Sequence, residues 1–373
     1  MPFHDTLSRY SGFDFPEFFS SVTEAQAAAV IDRERLSPLD FLALLSPAAA
    51  GLLEPLAHRA AALTKQHFGN VIFMFTPLYL SNFCENRCPY CSFARQHAIT
   101  RRQLSFDEIE SEAVAIASTG MRSILLLTGE SRKHAAPEFI TKAIGIIRCH
   151  FATIGIEMYP MTKEEYLVFV NKGVDGLTMF QETYDEASYH GFHAGGPKDD
   201  FFFRLSSPER AGECGIRSLT VGTLLGLAEP RREAFFSGLH AAFLQRTFPA
   251  AEVSLSMPRL RPMVGKFVPP HTVDDRLFVQ IMCATRLFLP RTGITISTRE
   301  SRAFRNSIVK LGVTRMSAGV STAVGGHKEN AGSAPQFEIA DTRSLTEMKS
   351  DLAALGFQPV MHDWNARLLS PVQ

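Results

Sequence analysis

Short apolar runs alternate with stretches of helical periodicity along most of the chain. Each apolar run is rich in β-branched residues and has the length of a buried strand. The pattern predicts eight strands, at 71–80, 123–128, 155–159, 176–182, 218–225, 252–257, 293–298 and 315–320. Because a helical pattern separates successive strands, the sequence predicts an α/β fold, a parallel (β/α)8 barrel of the TIM type.

Helix boundary signals fall between the predicted strands. A Ser or Thr followed three residues later by an acidic residue is typical of a helix start, and glycine is typical just after a helix end. The predicted starts are Ser105 with Glu108, Thr162 with Glu165, Thr272 with Asp275, and Ser344 with Glu347, and the predicted ends lie at Gly120, Gly173 and Gly356.

Two outer segments depart from the alternating pattern. Residues 23–66 are rich in Ala and Leu at helical spacing and contain no strand pattern. We therefore expect a helical N-terminal extension at 1–70 packed on a barrel at 71–325. Residues 326–373 begin with a Gly- and Ser-rich loop, and we expect them to close the barrel with one helix and a short segment around Trp364.

The charge balance bears on the possible partners. Lysine and arginine number 38, as do aspartate and glutamate, so the formal net charge is zero. Without a basic excess the chain has no electrostatic attraction to a phosphate backbone or an anionic membrane, so we expect no nucleic acid and no membrane as partners. No apolar run approaches the ~18 residues of a membrane helix, and the first residues do not resemble a secretory signal. These features predict a cytoplasmic protein.

Three of the six cysteines lie within eight residues, as Cys84-x3-Cys88-x2-Cys91. In a reducing compartment such a cluster more often binds metal than forms disulfides. A structural zinc ion needs four ligands, and neither a fourth cysteine nor a histidine follows at the usual spacing. Three thiolates are able to hold three irons of a [4Fe-4S] cluster and leave the fourth iron open to a small ligand. A structural zinc or a non-catalytic cluster is the alternative.

Polar residues follow several of the predicted strands. The carboxyl ends of the strands of a (β/α)8 barrel meet on one face, so we expect these residues to form a charged pocket there. They include the cysteine segment, Thr128, Gly129, Glu130, Gln181, Glu182, Arg259, Arg261, Arg299, Glu300 and Ser317.

The cysteine spacing resembles the signature of the radical S-adenosylmethionine (SAM) enzymes. Much of the chain is more closely similar to one family among them, the 2-iminoacetate synthases, which are the tyrosine lyases of bacterial thiamine thiazole biosynthesis. The similar segments are LLSPAA at 44–49, FGN at 68–70, PLYLSN at 77–82, TGE at 128–130, QETY at 181–184, DFFFRL at 200–205, PRLRP at 258–262 and STRES at 297–301. The resemblance implies a radical SAM barrel with a [4Fe-4S] cluster, whose open iron binds SAM and which cleaves it to a 5′-deoxyadenosyl radical.

The resemblance also implies roles for residues that bind SAM. Cys84, Cys88 and Cys91 would hold the cluster, and Tyr90 would meet the adenine. Thr128, Gly129 and Glu130 are similar to the motif that receives the SAM ammonium, with Thr in place of the first glycine. Gln181 and Glu182 are suited to the ribose hydroxyls. Arg204 is the candidate for the SAM carboxylate, because its fork of donors matches a carboxylate.

For the amino-acid substrate, the resemblance to aromatic amino-acid lyases implies that Arg299 holds the carboxylate and Ser317 the amine. Fixing both ends selects the hydrogen that is abstracted. Glu300 and Arg261 are further candidates, although either side chain is equally suited to a structural ion pair. His190, His193 and His327 lie on predicted loops near the same face.

The implied reaction is hydrogen abstraction from the amine of L-tyrosine and Cα–Cβ cleavage to p-cresol and 2-iminoacetate. It implies thiazole synthase as a protein partner and an external electron donor of the flavodoxin or ferredoxin type. A tryptophan lyase is an alternative, because the ring pocket is not readable from the sequence. The tyrosine lyase of hydrogenase maturation is disfavoured, because no cysteine follows Cys283. A non-catalytic iron-sulfur or zinc protein is the alternative from another class.

Overall fold

Eight parallel strands close a barrel in the computed structural model, which describes residues 2–328 and 332–361. The barrel closes because β1 pairs with β2 on one side and with β8 on the other. This architecture confirms the predicted fold. The strands are β1 Val71–Ser81, β2 Ser123–Thr128, β3 Thr153–Glu157, β4 Gly176–Glu182, β5 Ser218–Thr223, β6 Glu252–Leu255, β7 Gly293–Ile296 and β8 Arg315–Ser317.

Helices cover the outside of the barrel and connect its strands. In chain order they are α1 Phe3–Ser8, α2 Phe15–Ser21, α3 Glu24–Ile31, α4 Pro38–Leu45, α5 Leu53–Phe68, α6 Phe106–Ser118, α7 Pro137–Ile147, α8 Lys163–Asn171, α9 Glu186–His193, α10 Phe201–Leu205, α11 Ser207–Glu213, α12 Pro230–Thr247, α13 Asp275–Phe288, α14 Arg302–Ile308 and α15 Leu345–Ala354, with 3₁₀ helices at Pro47–Leu52 and Pro197–Asp199. Within the described ranges no single helix has the length and apolarity to cross a membrane. The bent pair Pro38–Leu45 and Pro47–Phe68, at 73°, meets those two criteria jointly.

Five of the strands end earlier than the sequence predicts. β3, β5, β6, β7 and β8 stop two or three residues short, because the chain bends out of the ladder where it enters the loops of the barrel mouth. Leu224, for example, donates its backbone N–H to the carbonyl of Glu182 at 2.9 Å, outside the regular register of β4 and β5. Several of the apolar residues that extended the predicted strands line the interior of the barrel mouth instead.

Most of the predicted helix boundaries are confirmed. Complete capping boxes begin α6, α8 and α15 at Ser105, Thr162 and Ser344. Gly120, Gly173 and Gly356 follow the same three helices with positive φ. The predicted start at Thr272 is wrong. Helix α13 begins two residues later, because the Asp274 carboxylate accepts from the backbone N–H of Leu277 at 2.8 Å.

Residues 2–68 form helices that pack on α12 and α13, outside the barrel. Phe41 of α4 stacks on Phe288 with ring centroids 4.5 Å apart, and Phe3 of α1 stacks on His240 at 4.1 Å. The buried Gln280 amide donates to two carbonyls at the end of α4, those of Leu44 at 2.9 Å and Ser46 at 2.8 Å. A polar group that is satisfied in this way fixes the orientation of the extension on the barrel.

A ninth strand, β9 Gln358–Val360, was not predicted from the sequence. It follows α15 and pairs in parallel with the start of β1, so that Val71 lies opposite Gln358 and Phe73 opposite Val360. A three-residue strand carries too little periodicity to be recognised in a sequence. The predicted segment around Trp364 lies outside the described residues, and the boundaries at 70 and 325 stay predictions.

A buried ion network joins the segment after β8 to the barrel. The Asp341 carboxylate accepts from Arg305 and Arg343, each at 2.5 Å, and Arg305 also donates to the carbonyl of Ser317 at 2.5 Å. Burial alone would raise the pKa of the Asp341 carboxyl, but the two guanidinium groups hold it at about 2. The network therefore ties the end of β8 to the chain that follows it.

We expect Asp341→Asn to lower the free energy of unfolding by roughly 3 kcal/mol, because it removes the buried counter-charge of Arg305 and leaves Arg343 with Asp351 alone. Because the folded pKa lies below the unfolded value of about 3.9, the wild-type carboxylate stabilises the fold above that pH, and this contribution is lost as the pH falls toward 2. Urea unfolding at pH 7 and pH 3 measures both effects. The control is Arg33→Gln, which breaks an exposed pair with Asp40. An equal decrease of the free energy of unfolding in both variants would contradict the expectation.

Candidate active site

A cavity runs along the barrel axis, from the loops after the strands down to residues at the strand starts such as Ser218 and Arg315. Eleven of the twelve side chains that the sequence predicted line it. They are Cys84, Cys88, Tyr90, Cys91, Thr128, Gly129, Glu130, Glu182, Arg204, Arg299 and Ser317. The structure therefore gathers segments more than two hundred residues apart into one site.

Gln181 is the predicted residue that the structure does not bring into the cavity. Successive side chains of a strand point to opposite faces, and Glu182 occupies the inward position at the end of β4. Gln181 is buried on the outer face, where its amide donates to the carbonyl of Phe201 at 3.4 Å. The assignment of Gln181 to the ribose is corrected for this reason.

The loop that carries the three cysteines is held by side chains that cap its backbone. Arg101 donates to four carbonyls of this loop, including those of Asn82 at 2.8 Å and Phe93 at 2.6 Å. The Asn82 amide donates to Thr100 at 2.9 Å and accepts from Arg102 at 2.6 Å. An irregular loop with its carbonyls satisfied in this way keeps a fixed shape without regular secondary structure.

The three cysteines are free thiols that face the cavity. Burial raises the pKa of each thiol, that of Cys88 to about 12, and the Lys198 ammonium opposes this rise. Within the described chain no three His, Cys, Asp or Glu side chains converge on one metal ion. Three neighbouring cysteines are suited to a [4Fe-4S] cluster, in which each cysteine binds a different iron.

The turn after β2 lies directly against the cysteine loop. A Cβ at Gly129 would lie 2.3 Å from the carbonyl oxygen of Phe83, so only glycine fits. The neighbouring Glu130 accepts from the Asn86 amide at 2.7 Å, and its carbonyl accepts from the backbone N–H of Glu85 at 2.9 Å. The hydroxyl of Thr128 is buried and has no hydrogen-bond partner among the described residues, so it is free for a ligand.

Glu182 is a charged carboxylate in a strained position. Its φ of 71° is the sole positive value among the described non-glycine residues. Lys198 donates to it at 2.5 Å, and Arg204 lies 3.5 Å away. Burial would raise the pKa of the Glu182 carboxyl, but Lys198, Arg204 and Arg299 hold it below its ordinary value. Glu182 is therefore a hydrogen-bond acceptor at neutral pH.

Two aromatic hydroxyls beside the cysteines have buried partners. Tyr90 shares a 2.6 Å hydrogen bond with Nε2 of His193. Tyr79 donates to the Gln336 side chain at 2.7 Å, and the amide of Gln336 lies 3.7 Å from the sulfur of Cys91. Residue 336 follows the barrel in the chain, so the later segment reaches back to the cysteine loop.

The remaining sequence candidates have structural partners or lie outside the cavity. Glu300 forms a buried pair with Arg259, and Arg261 does not line the cavity. His190 pairs with Asp199 at 2.8 Å. The ring of His327 contacts the carbonyl of Pro77 at 2.8 Å, outside the cavity lining.

Arg299 is a cation without a carboxylate partner. Its guanidinium lies over the ring of Phe337, 3.4 Å from the centroid, and within the described part of the chain no carboxylate is at ion-pair distance. Ser317 is buried nearby, on the adjacent strand, and its hydroxyl accepts from the backbone N–H of Thr298 at 3.2 Å. A half-buried guanidinium without an ion-pair partner among the described residues is suited to a carboxylate ligand.

Glu157 and Lys198 are among the charged residues of the cavity that sequence reasoning missed. Glu157 lies at the end of β3, and its carboxylate has no hydrogen-bond or ion-pair partner among the described residues. Burial and the charge of Glu182 raise its pKa to about 7, against the effect of Arg299. An acidic residue within the apolar run 155–159 was the available signal. Lys198, in the 3₁₀ helix Pro197–Asp199 just before the DFFFRL segment, belongs to no motif of its own and gave no signal.

Comparisons with known sequences agree with this geometry. Residues 78–234 match the family model of the radical SAM superfamily, and residues 256–358 match the biotin and thiamin synthesis associated domain. The 2-iminoacetate synthase of Escherichia coli (strain K12) is 38% identical over 347 residues, which cover 93% of this chain and 92% of that one.

Solved structures give the same result for the fold. The crystal structure of HydG, a maturase of the [FeFe]-hydrogenase, superposes with a TM-score of 0.88 at 28% identity, over 96% of this chain and 80% of that one. The crystal structure of methylornithine synthase (PylB) superposes with a TM-score of 0.71 at 21% identity, over 90% of this chain and 97% of that one, which shows a shared fold.

We expect Gly129→Ala to prevent assembly of a metal cluster, because the new methyl group displaces the backbone at Phe83, next to Cys84. The measurement is iron and sulfide bound per chain after anaerobic reconstitution. The control is Gly145→Ala in α7, where a Cβ meets nothing within 4 Å. Full iron binding by the Gly129 variant would contradict the role of this contact.

Proposed function

The chain belongs to the 2-iminoacetate synthase family of radical SAM enzymes, and from this membership we propose that it cleaves the Cα–Cβ bond of L-tyrosine to 2-iminoacetate and p-cresol. The observation that carries the proposal is 38% identity over nine-tenths of both chains. The cavity adds the required chemistry, because three thiols and an unpaired cation face the same space.

The residues present fit the two cofactors of the family, a [4Fe-4S] cluster and SAM. Cys84, Cys88 and Cys91 would hold the cluster, and the unpaired hydroxyl of Thr128 and the charged groups beside it are free to contact SAM. When bound, the cluster and SAM supply the 5′-deoxyadenosyl radical that abstracts hydrogen.

We assign the SAM contacts from the positions of the charged side chains. Glu130, oriented by Asn86, would accept from the SAM ammonium. Glu182 would accept from the ribose hydroxyls, and Tyr90 would lie against the adenine. Arg204 would bind the SAM carboxylate, because Glu182 and a backbone carbonyl fix its orientation while it faces the cavity.

Arg299 would bind the carboxylate of tyrosine. Burial lowers the pKa of the free guanidinium, so an incoming carboxylate restores a counter-charge that the site lacks. Ser317, on the adjacent strand, would hold the amine through its hydroxyl. Both contacts lie inside the barrel, so the amine is held in place and shielded from water.

Glu157 would receive the phenol hydroxyl. It lies on β3, across the barrel from Arg299 after β7, and a tyrosine held by its carboxylate directs its ring away from Arg299. A buried acceptor without a partner favours a substrate that brings a hydroxyl, because a ring without one leaves the carboxyl group unsatisfied. This contact would distinguish tyrosine from phenylalanine.

The product and the compartment complete the proposal. An imine such as 2-iminoacetate hydrolyses readily, which favours direct transfer to thiazole synthase as a protein partner. Radical SAM enzymes need an external electron donor. The six free cysteines support a reducing compartment, which we take to be the cytoplasm.

We expect the anaerobically reconstituted protein, given SAM and a reductant, to form p-cresol and 5′-deoxyadenosine from tyrosine. Cys88→Ala should abolish both products and cluster assembly, whereas Arg299→Ala should keep the cluster and raise KM for tyrosine by roughly 10- to 100-fold. Mass spectrometry measures the products, and iron analysis measures the cluster. Lyase activity in the cysteine variant would refute the proposal, and indole products from tryptophan would identify the tryptophan lyase instead.

Glu157→Leu tests the phenol contact. We expect it to lower the ratio of kcat/KM for tyrosine to kcat/KM for phenylalanine, measured for hydrogen abstraction, by roughly 10- to 100-fold. Glu157→Gln should keep part of the preference, because its amide oxygen still accepts. Formation of 5′-deoxyadenosine with each amino acid measures the ratio.

A second readout concerns the apoprotein. The folded pKa of about 7 lies above the unfolded value of about 4.3, so the wild type loses stability as the pH rises between these two values. Glu157→Gln should therefore melt higher than the wild type at pH 8 and equally at pH 4. An unchanged substrate preference in Glu157→Leu would exclude the phenol contact.

A further inference from the structure

The two loops that surround the cysteines are basic, although the chain as a whole has no net charge. The loop after β1, at 82–105, contains four arginines and one glutamate. The loop after β6, at 256–273, contains two arginines, one lysine and no acidic residue. Positive charge is therefore concentrated on the side of the barrel mouth that carries the cysteines.

Some of these basic side chains serve the protein's own structure, and others do not. Arg101 caps carbonyls, and Arg102 and Arg259 pair with acidic residues. Arg87, Arg95 and Lys266 are exposed, and in the described ranges their side chains make no hydrogen bond or ion pair. The exposed Glu85 is already engaged, because its carboxylate accepts from the Ser131 hydroxyl at 2.8 Å.

The two loops contact each other next to the cysteines. The backbone N–H of Val264 donates to the hydroxyl of Ser92, the residue after Cys91, at 3.0 Å. The ring of Phe267 lies edge-on to Tyr90, with centroids 6.1 Å apart. Lys266, between these two contacts, therefore lies over the cysteine loop.

The same surface contains apolar side chains in solvent. Val264 is 40% exposed, and Val268, at 83%, is the most exposed large apolar residue among those described. Exposed apolar groups beside exposed basic side chains are typical of a protein docking site. We call Arg87, Arg95, Val264, Lys266 and Val268 the cysteine-side surface.

We propose that the cysteine-side surface docks an acidic one-electron carrier protein, which passes its electron into the cluster held by the three cysteines. The inference rests on the proposed function, since it requires a redox cluster at these residues. In the step the carrier loses one electron and the cluster gains one, and no bond is made or broken. Opposite charge supports this occupant, because three unpaired cations repel a basic partner and attract an acidic one.

The experiment uses the reconstituted protein and flavodoxin, with the double variant Arg95→Glu/Lys266→Glu. We expect at least about a tenfold weaker Kd for oxidised flavodoxin at low salt, and a similarly slower reduction of the cluster by reduced flavodoxin. The dependence of both quantities on ionic strength should flatten. Reduction by methyl viologen, a small cation, should not slow.

The matched control is Lys172→Glu/Lys310→Glu, which makes the same charge change at exposed residues before β4 and β8, at the opposite end of the barrel. Equal losses in the two double variants, or unchanged flavodoxin binding in the first, would overturn the proposal. Weaker binding of thiazole synthase with unchanged flavodoxin binding would overturn it as well.

Val268→Glu provides an independent variant, because this exposed side chain can be replaced without disturbing the core. It should also weaken flavodoxin binding, and unchanged binding would count against the surface. Failure of the wild type to bind a cluster or cleave SAM with methyl viologen would refute the proposed function itself. A variant whose cluster is reduced more slowly by flavodoxin, but not by methyl viologen, bears only on docking.

Discussion

The candidate site depends on the close approach of two backbones, that of the turn after β2 and that of the loop after β1. Gly129 permits this approach, since any Cβ would meet the carbonyl of Phe83. The contact places Glu130 where Asn86 orients it, and the Asn86 oxygen in turn accepts from the backbone of Lys198 at 2.9 Å. The cysteine loop, Glu130 and Lys198 are thus positioned together.

Charge balance is the second constraint on the cavity. Two cations, Lys198 and Arg204, lie close to the Glu182 carboxylate. Glu157 and Arg299, in contrast, have no ion-pair partner within the described ranges. Burying charged groups is unfavourable unless they are paired, so groups left unpaired inside a barrel are those that a ligand completes. The cavity therefore contains both charges that the protein pairs and charges that it leaves unpaired among the described residues.

The barrel and most of the site were predictable because both rest on local patterns. Strand periodicity predicted all eight barrel strands, and eleven of the twelve site residues predicted from the cysteine spacing, the strand ends and the family resemblance line the cavity. Gln181 was wrong because one residue along a strand changes the face. Lys198 and β9 were missed because their positions follow from distant pairing, with Glu182 and with β1, which no local pattern records.

The pairing of β9 with β1 has a consequence for synthesis of the protein. Phe73 and Val360 lie side by side but are separated by most of the chain, and such non-local pairs form late and slowly. The start of β1 therefore stays without this neighbour on the ribosome until residue 360 has emerged, and its unpaired edge is exposed meanwhile. Cells that produce this protein faster than it completes the pairing would accumulate it as aggregates, whatever the supply of iron.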